Sequence, residues 1–230
     1  MKTLAAAAFF MVVSHVLSAH LPIRDSLTRR IGERGFLILY SALSMAALVW
    51  LGWAYVHAPY VEVWGRNLHH IWVPILIMPM ATFLICAAVA ESNPLREGLL
   101  PGGYRHAPIR GVFRITRHPV AWASALWALA HLAPNGDLAS VILFGALGGL
   151  ALGGAWSMDR KAARRLGDSW AACASSSPYV PFAAILAGRQ KCVWSEIGVG
   201  RCVSGVLLYC ALLYMHGSLF GYPIIPLFFW

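Results

Sequence analysis

Charge is scarce in this 230-residue chain. Only 12% of its residues are Asp, Glu, Lys or Arg, against 59% hydrophobic, and its mean hydropathy is +0.65. A soluble domain carries roughly a quarter charged residues, so a water-soluble globular fold is excluded as the working expectation. Acidic residues number nine, and none falls deep in an apolar run. A carboxylate cage for a hard cation therefore has no place inside the chain. Cysteine is equally sparse. Cys86 and Cys210 lie in apolar runs, and Cys173, Cys192 and Cys202 show no short paired spacing, which excludes a disulfide framework and a zinc site.

Long apolar stretches are what the sequence has instead. A helix crossing the hydrocarbon needs about 20 residues at ~1.5 Å each. Six candidate spans follow: Leu4 to Leu21, Phe36 to His57, Ile71 to Ala90, Pro119 to Ala133, Leu138 to Trp156 and Val203 to Gly221. The fold class expected is an all-α integral membrane bundle of about six transmembrane helices, forming a single domain over 1–230. Tyr179 to Ala187 is apolar but too short to cross, and is expected at the cytoplasmic interface or as a re-entrant piece. Glu91 to Arg117, rich in Gly, Pro and Arg, reads as the main inter-helix loop.

The net charge of +9 and pI near 9.7 do not indicate nucleic acid, because the basic residues alternate between spans. Four lie in the first connection (Arg24, Arg29, Arg30, Arg34), five in the third (Arg96, Arg105, Arg110, Arg114, Arg117) and seven between Ser157 and Cys202. Only Lys2 and Arg66 lie elsewhere. The positive-inside rule places the basic connections in the cytoplasm and both termini outside, in a bacterial-type inner membrane. Lys2, the following apolar run and Leu17-Ser18-Ala19 also resemble a cleavable signal, but the basic cluster after His20 opposes translocation, so the first span is expected to be retained. Arg160, Lys161, Arg164 and Arg165 beside Asp159 read as a solvated extension touching lipid headgroups, and Trp50, Trp53, Trp64, Trp72 and Trp230 as an interfacial belt.

Nine histidines stand out against this background. His15 lies inside the first span, His118 opens the fourth, His131 sits near its far end and His216 near the end of the sixth, while His20, His57, His69, His70 and His106 are at span ends or in loops. A single intramembrane imidazole is most often an interhelical hydrogen bond. Several of them, with neither carboxylates nor a cysteine pair nearby, suit haem iron better than a hard metal, and an apolar bundle offers a porphyrin slot. Thirteen residues separate His118 from His131, roughly 20 Å along one helix, so these two cannot share an iron. Two axial ligands must come from different helices, with His15 available to meet either. His15 is about 9 Å and His131 about 20 Å from the basic end, a mismatch within boundary error and tilt.

Local punctuation is clear at two places. Pro119 follows Arg117-His118 in the first-turn position, where a missing N–H is harmless, and Pro134-Asn135-Gly136-Asp137 is a helix break in which Asp137 is placed to cap the next span. Gly145, Gly148, Gly149, Gly153 and Gly154 are expected to let helices approach closely.

The strings ITRHP ending at Pro119, WALAH ending at His131, NGD ending at Asp137 and VPFAAILAGRQ ending at Gln190 together resemble the NnrU family, which includes 15-cis-zeta-carotene isomerases. The likeness runs from about His15 to His216. It implies a haem b membrane protein with His15 and His131 as axial ligands and His118 as a further functional, catalytic residue. His216, in Tyr214-Met215-His216-Gly217, matches a C-terminal His-Pro of the plant enzymes without the proline, and Ala128 stands where those enzymes carry a cysteine. The implied activity is cis-trans isomerisation of a lipophilic polyene, with the substrate or a redox partner and the lipids of the membrane as partners. The family's bacterial branch implies an alternative, a haem protein supporting nitrite and nitric oxide metabolism. The RHP string and a following Gly-rich helix also resemble isoprenylcysteine methyltransferases, which use C-terminal acids. After His118 this chain has only Asp137, Asp159, Asp168 and Glu196.

Overall fold

The computed structural model describes residues 1–19, 21–65, 68–89 and 109–221; of Ala19, Leu21, Leu68 and His69 only the backbone is described. His20, Arg66, His106, Trp230 and most of the loop from Glu91 therefore lie outside the described residues. Among the described residues the regular structure is helical, and six long helices take the positions of the six predicted spans. They are α1 (Lys2–Ala19), α2 (Leu21–Val56), α3 (Trp72–Val89), α4 (Pro119–Asn135), α5 (Leu138–Leu166) and α9 (Val199–Phe220). Between α5 and α9 come α6 (Asp168–Ser176), α7 (Ala183–Leu186) and α8 (Trp194–Ile197). By length and composition α2, α3, α5 and α9 suffice to cross a membrane, α1 is a shorter apolar helix, and α4 has 17 residues. The chain is an all-helical membrane protein.

Two helices outrun their predicted bounds for identifiable reasons. α2 starts before Phe36, yet Gly32 (φ 75°, ψ 164°) interrupts its helical geometry. Leu21 to Ile31 is thus a separate basic piece, tied back by an Arg24–Glu33 ion pair, and the crossing part begins at Glu33. α5 continues past Trp156 to Leu166, because Ala155 and Ala162 remain buried on its inner face.

Neighbouring helices pack in the order α2, α1, α5, α4, α3, α9. Small residues let α1, α2 and α5 meet: Leu4, Ala7, Ala8 and Met11 of α1 close on Ala47, Leu51 and Ala54 of α2 and Ala139 of α5. A second core joins Ala81, Leu84 and Ala87 of α3 to Val112, Phe113 and Ala123. α9 rests on α3, where a Cβ at Gly205 would come within 2.9 Å of the Phe83 Cα. Pro79 inside α3 has no N–H to give the Ile75 carbonyl, and the Tyr209 hydroxyl of α9 donates to that carbonyl at 3.2 Å.

The Pro134–Asp137 break forms as expected. Gly136 adopts φ 62° and its carbonyl accepts the N–H groups of Val63, Trp64 and Gly65 at 2.9, 3.0 and 3.2 Å. Asp137 caps α5 by accepting from the Ser140 N–H at 3.0 Å. The glycine expectation is met only in part: a Cβ at Gly148 would lie 3.1 Å from the Ala128 Cβ, whereas Gly145, Gly149, Gly153 and Gly154 have nothing within 4 Å. Among the described residues those four have no neighbouring helix against them.

Candidate functional site

At the basic end of the bundle the ITRHP string is gripped by the segment after α6. The Arg117 N–H donates to the Pro178 carbonyl at 2.9 Å and the Phe182 N–H to the Ile115 carbonyl at 2.9 Å. Thr116 Oγ1 and Trp122 Nε1 both donate to the Tyr179 carbonyl at 2.8 Å. Residues 178–187 fold back along 111–118 rather than crossing, as their length predicts.

This clamp buries His118 and aims it at α5. Its Nε2 lies 2.6 Å from Asp159 Oδ1, while Arg117 Nε and Nη2 donate to Oδ2 of the same carboxylate at 2.8 and 2.5 Å. Arg117 also donates to the Ser177 carbonyl at 2.6 Å and packs its guanidinium between Trp170 and Tyr179, 5.5 and 5.6 Å from their ring centres. The Tyr179 ring meets His118 edge-on at 5.4 Å, and its hydroxyl donates to the Leu152 carbonyl at 2.8 Å. Burial, with the Asp159 carboxylate nearby, raises the Tyr179 phenol above its ordinary range.

Asp159 is thus a correction to the sequence reading. It is not part of a solvated face but the shared acceptor of Arg117 and His118, with only 12% of its side chain exposed. The signal was present in its spacing, since Ala155, Asp159 and Ala162 recur at i, i+4 and i+7 on the buried stripe of α5. Beside it, Arg114 forms a two-pronged pair with Glu196 (2.7 and 2.9 Å) and donates to Gln190 Oε1 at 2.7 Å. The Gly111 N–H adds a 2.9 Å bond to Glu196. The Arg114 hydrogen bonds hold the Glu196 carboxyl down to about 2.

His131 lies at the other end of α4, among aromatic rings. Its Nδ1 donates to the Trp127 carbonyl at 2.8 Å, which leaves Nε2 as the lone-pair nitrogen. Trp127, Phe144 and His216 surround it with ring centres 5.1, 5.4 and 6.3 Å away. His15 has the same local arrangement, Nδ1 to the Met11 carbonyl at 2.8 Å, but its ring neighbour is Tyr40 at 5.5 Å. α2 gives the scale: Tyr40 stands beside His15, and Tyr55 beside Phe144, which touches His131. Fifteen residues of one helix, roughly 20 Å, separate those tyrosines. The structure brings His131 to His216, sets His118 against Asp159 at the other end of α4, and packs His15 against Tyr40 of α2.

The class defined by this fold is a multi-helix membrane protein with imidazoles set among apolar helices. The chain belongs to the NnrU protein family, whose match spans residues 3–224. It is similar to the 15-cis-zeta-carotene isomerases, chloroplastic, of Arabidopsis thaliana (29% identical, covering 78% of this chain) and Zea mays (26%, covering 79%). In both cases it spans about half the relative's length, 50%. No solved structure matches the chain.

Proposed function

We propose that the protein is a membrane cis-trans isomerase of a lipophilic polyene of the 15-cis-zeta-carotene type, assisted by haem b. The observation that carries the reading is the likeness to two such isomerases across almost four-fifths of the chain. Support from the site comes from His131. A neutral imidazole with Nδ1 tied to a backbone carbonyl, in a bed of Trp127 and Phe144, is the donor type that haem iron takes. The resemblance names His15 as its partner ligand, and that pairing is the part to test.

When bound, haem supplies a redox-active iron able to lower the bond order of a conjugated double bond. The chain's residues do the rest. The side chains of α9, among them Leu207 and Tyr214, face outward and offer an apolar wall along which a polyene enters from the lipid. His118, held by Asp159 and Arg117, fixes the entry of α4 and so the direction from which His131 is presented. Isomerisation transfers no atoms and no net electrons, so the protein's task is orientation and exclusion of water. On this reading the basic end faces the cytoplasm of a bacterial-type inner membrane.

The test is to supply the detergent-purified full chain with haem, record reduced-minus-oxidised spectra, and incubate the reduced protein with 15-cis-zeta-carotene. A b-type spectrum with conversion to the all-trans central bond supports the reading. Haem without conversion, together with nitric oxide binding, moves it to the family's nitrite and nitric oxide branch. Absence of a Soret band removes the haem half.

A further inference from the structure

Basic residues from two separate elements converge at one place where the acids nearby are already engaged. Leu21 to Ile31, the piece ahead of the Gly32 break, carries Arg24, Arg29 and Arg30, and the last two turns of α5 carry Arg160, Lys161, Arg164 and Arg165. Arg24 and Lys161, one from each element, come close enough for their like charges to repel. Lys161 is half-buried, so water screens that repulsion only in part. Both oxygens of Asp159 are taken by Arg117 and His118, and Glu33 is paired with Arg24. Asp25 is exposed, and among the described residues neither it nor Lys161 enters an ion pair.

The same two elements carry the apolar surface of a membrane–water border. Ile23, Leu27 and Ile31 recur every four residues along the short piece, and Ile23 and Ile31 are exposed. Arg24 lies over the Phe36 ring at 5.6 Å, and Phe36 stacks on Tyr40 at 6.2 Å where the crossing part of α2 begins. On α5 the Arg160 guanidinium lies 4.6 Å from the ring centre of Trp156, which is itself exposed. Cations anchored on aromatic rings, with exposed Leu37, Ile38 and Leu39 following on α2, match a molecule that has an anionic head and hydrocarbon tails. A free anion would use the cations and leave the apolar surface bare.

We infer that Arg24 and Lys161 together hold the phosphate of an anionic membrane phospholipid, its phosphodiester between the two side chains and its acyl chains along α2. An anion placed there turns one repulsive contact into two attractive ones, and it ties the Leu21–Ile31 piece to the end of α5. Arg29, Arg30, Arg164 and Arg165 form a rim that draws the chain to a negatively charged surface without selecting one lipid. The site does not depend on any cofactor or substrate of the bundle.

The experiment titrates the detergent-purified full chain with phosphatidylglycerol, phosphatidylcholine or inorganic phosphate, reading bound lipid by native mass spectrometry and stability by the thermal midpoint. Phosphatidylglycerol is expected to bind and to raise the midpoint, phosphatidylcholine to bind at least about fivefold more weakly, and inorganic phosphate at the same concentration to do neither. Arg24→Gln and Lys161→Gln are each expected to weaken phosphatidylglycerol binding by about fivefold or more, and the double variant by little beyond either, because both side chains meet one phosphate. Lys191→Gln removes an equal charge from an exposed position elsewhere and is expected to leave binding unchanged. Lys161→Glu gives Arg24 an anion within the chain, so its midpoint without lipid is expected to rise and its response to lipid to vanish, which a merely structural lysine would not produce. The assignment is overturned if Lys191→Gln weakens binding as much as Lys161→Gln or if the two lipids bind alike, since either means diffuse attraction to the surface. Displacement of the lipid by inorganic phosphate overturns it in favour of a soluble anion, and a Lys161→Glu protein less stable than wild type without lipid overturns the repulsion on which it rests.

Discussion

The imidazole of His118 and the carboxylate of Asp159 meet at 2.6 Å across two helices, with Arg117 holding the other carboxylate oxygen. One anion thus ties the start of α4 to the inner face of α5. Asp159→Ala leaves a guanidinium largely shielded from solvent and an imidazole without their shared acceptor. Removing one partner of a buried pair costs about 3 kcal/mol, so thermal unfolding in detergent is expected to shift sharply downward. Asp159→Asn, which keeps one acceptor oxygen, is expected to lie between Ala and wild type.

The Arg114–Glu196 pair gives a pH prediction. The folded Glu196 carboxyl is held at about 2, below its ordinary value of 4.5. A depressed carboxyl contributes stability that is present above its unfolded value and lost as pH falls through the folded one. Stability is therefore expected to decline between about pH 4.5 and pH 2, and Glu196→Gln to flatten that part of the profile while lowering stability at neutral pH. Denaturation midpoints across that range check it.

Gly136 carries both a left-handed backbone and a crowded approach. A Cβ there would fall 2.1 Å from the Gly65 carbonyl oxygen. The strain of a non-glycine residue in such a conformation is on the order of 1–3 kcal/mol before the clash is counted. Gly136→Ala is expected to open the turn that joins α4 to α5, read as faster amide exchange at Val63, Trp64 and Gly65, whose N–H groups bond the Gly136 carbonyl.

Tyr209→Phe removes the hydroxyl that satisfies the Ile75 carbonyl left open by Pro79. The expected cost is about 1 kcal/mol, consistent with a single hydrogen bond. Replacing Pro79 by Ala as well restores a helical N–H to that carbonyl, so the double variant is expected to recover most of the loss. Unfolding midpoints of the four-member cycle test the coupling.

Much of the fold was legible in advance because span length and charge alternation are set by the bilayer and not by tertiary contacts. Ile71 to Ala90 and Trp72–Val89 differ by one residue at each end, and Pro119 opens α4 as its fixed geometry requires. The candidate site could be read from the sequence as single residues but not as a constellation. His118 and His131 were identified as separate points on one helix, and helical rise alone kept them apart. Asp159 was hidden by the basic residues around it, since Arg160 and Lys161 made the whole stretch look solvated. His216 was discounted because its local string departs from that of the relatives, although neighbourhood in space does not depend on that string.

The sequence by itself determined that the chain is an apolar helical bundle with one basic end, since few charges and six long apolar runs allow little else in a membrane. It also fixed two of the helix boundaries, at Pro119 and the Pro134–Asp137 turn, whereas the break at Gly32 emerged only in the structure. Which side chains face one another was decided only by tertiary packing. Helix order and rotation depend on small-residue contacts such as Gly205 against Phe83 and Gly148 against Ala128. That is why Asp159 turned inward to His118, and why the ring beside His131 is that of His216.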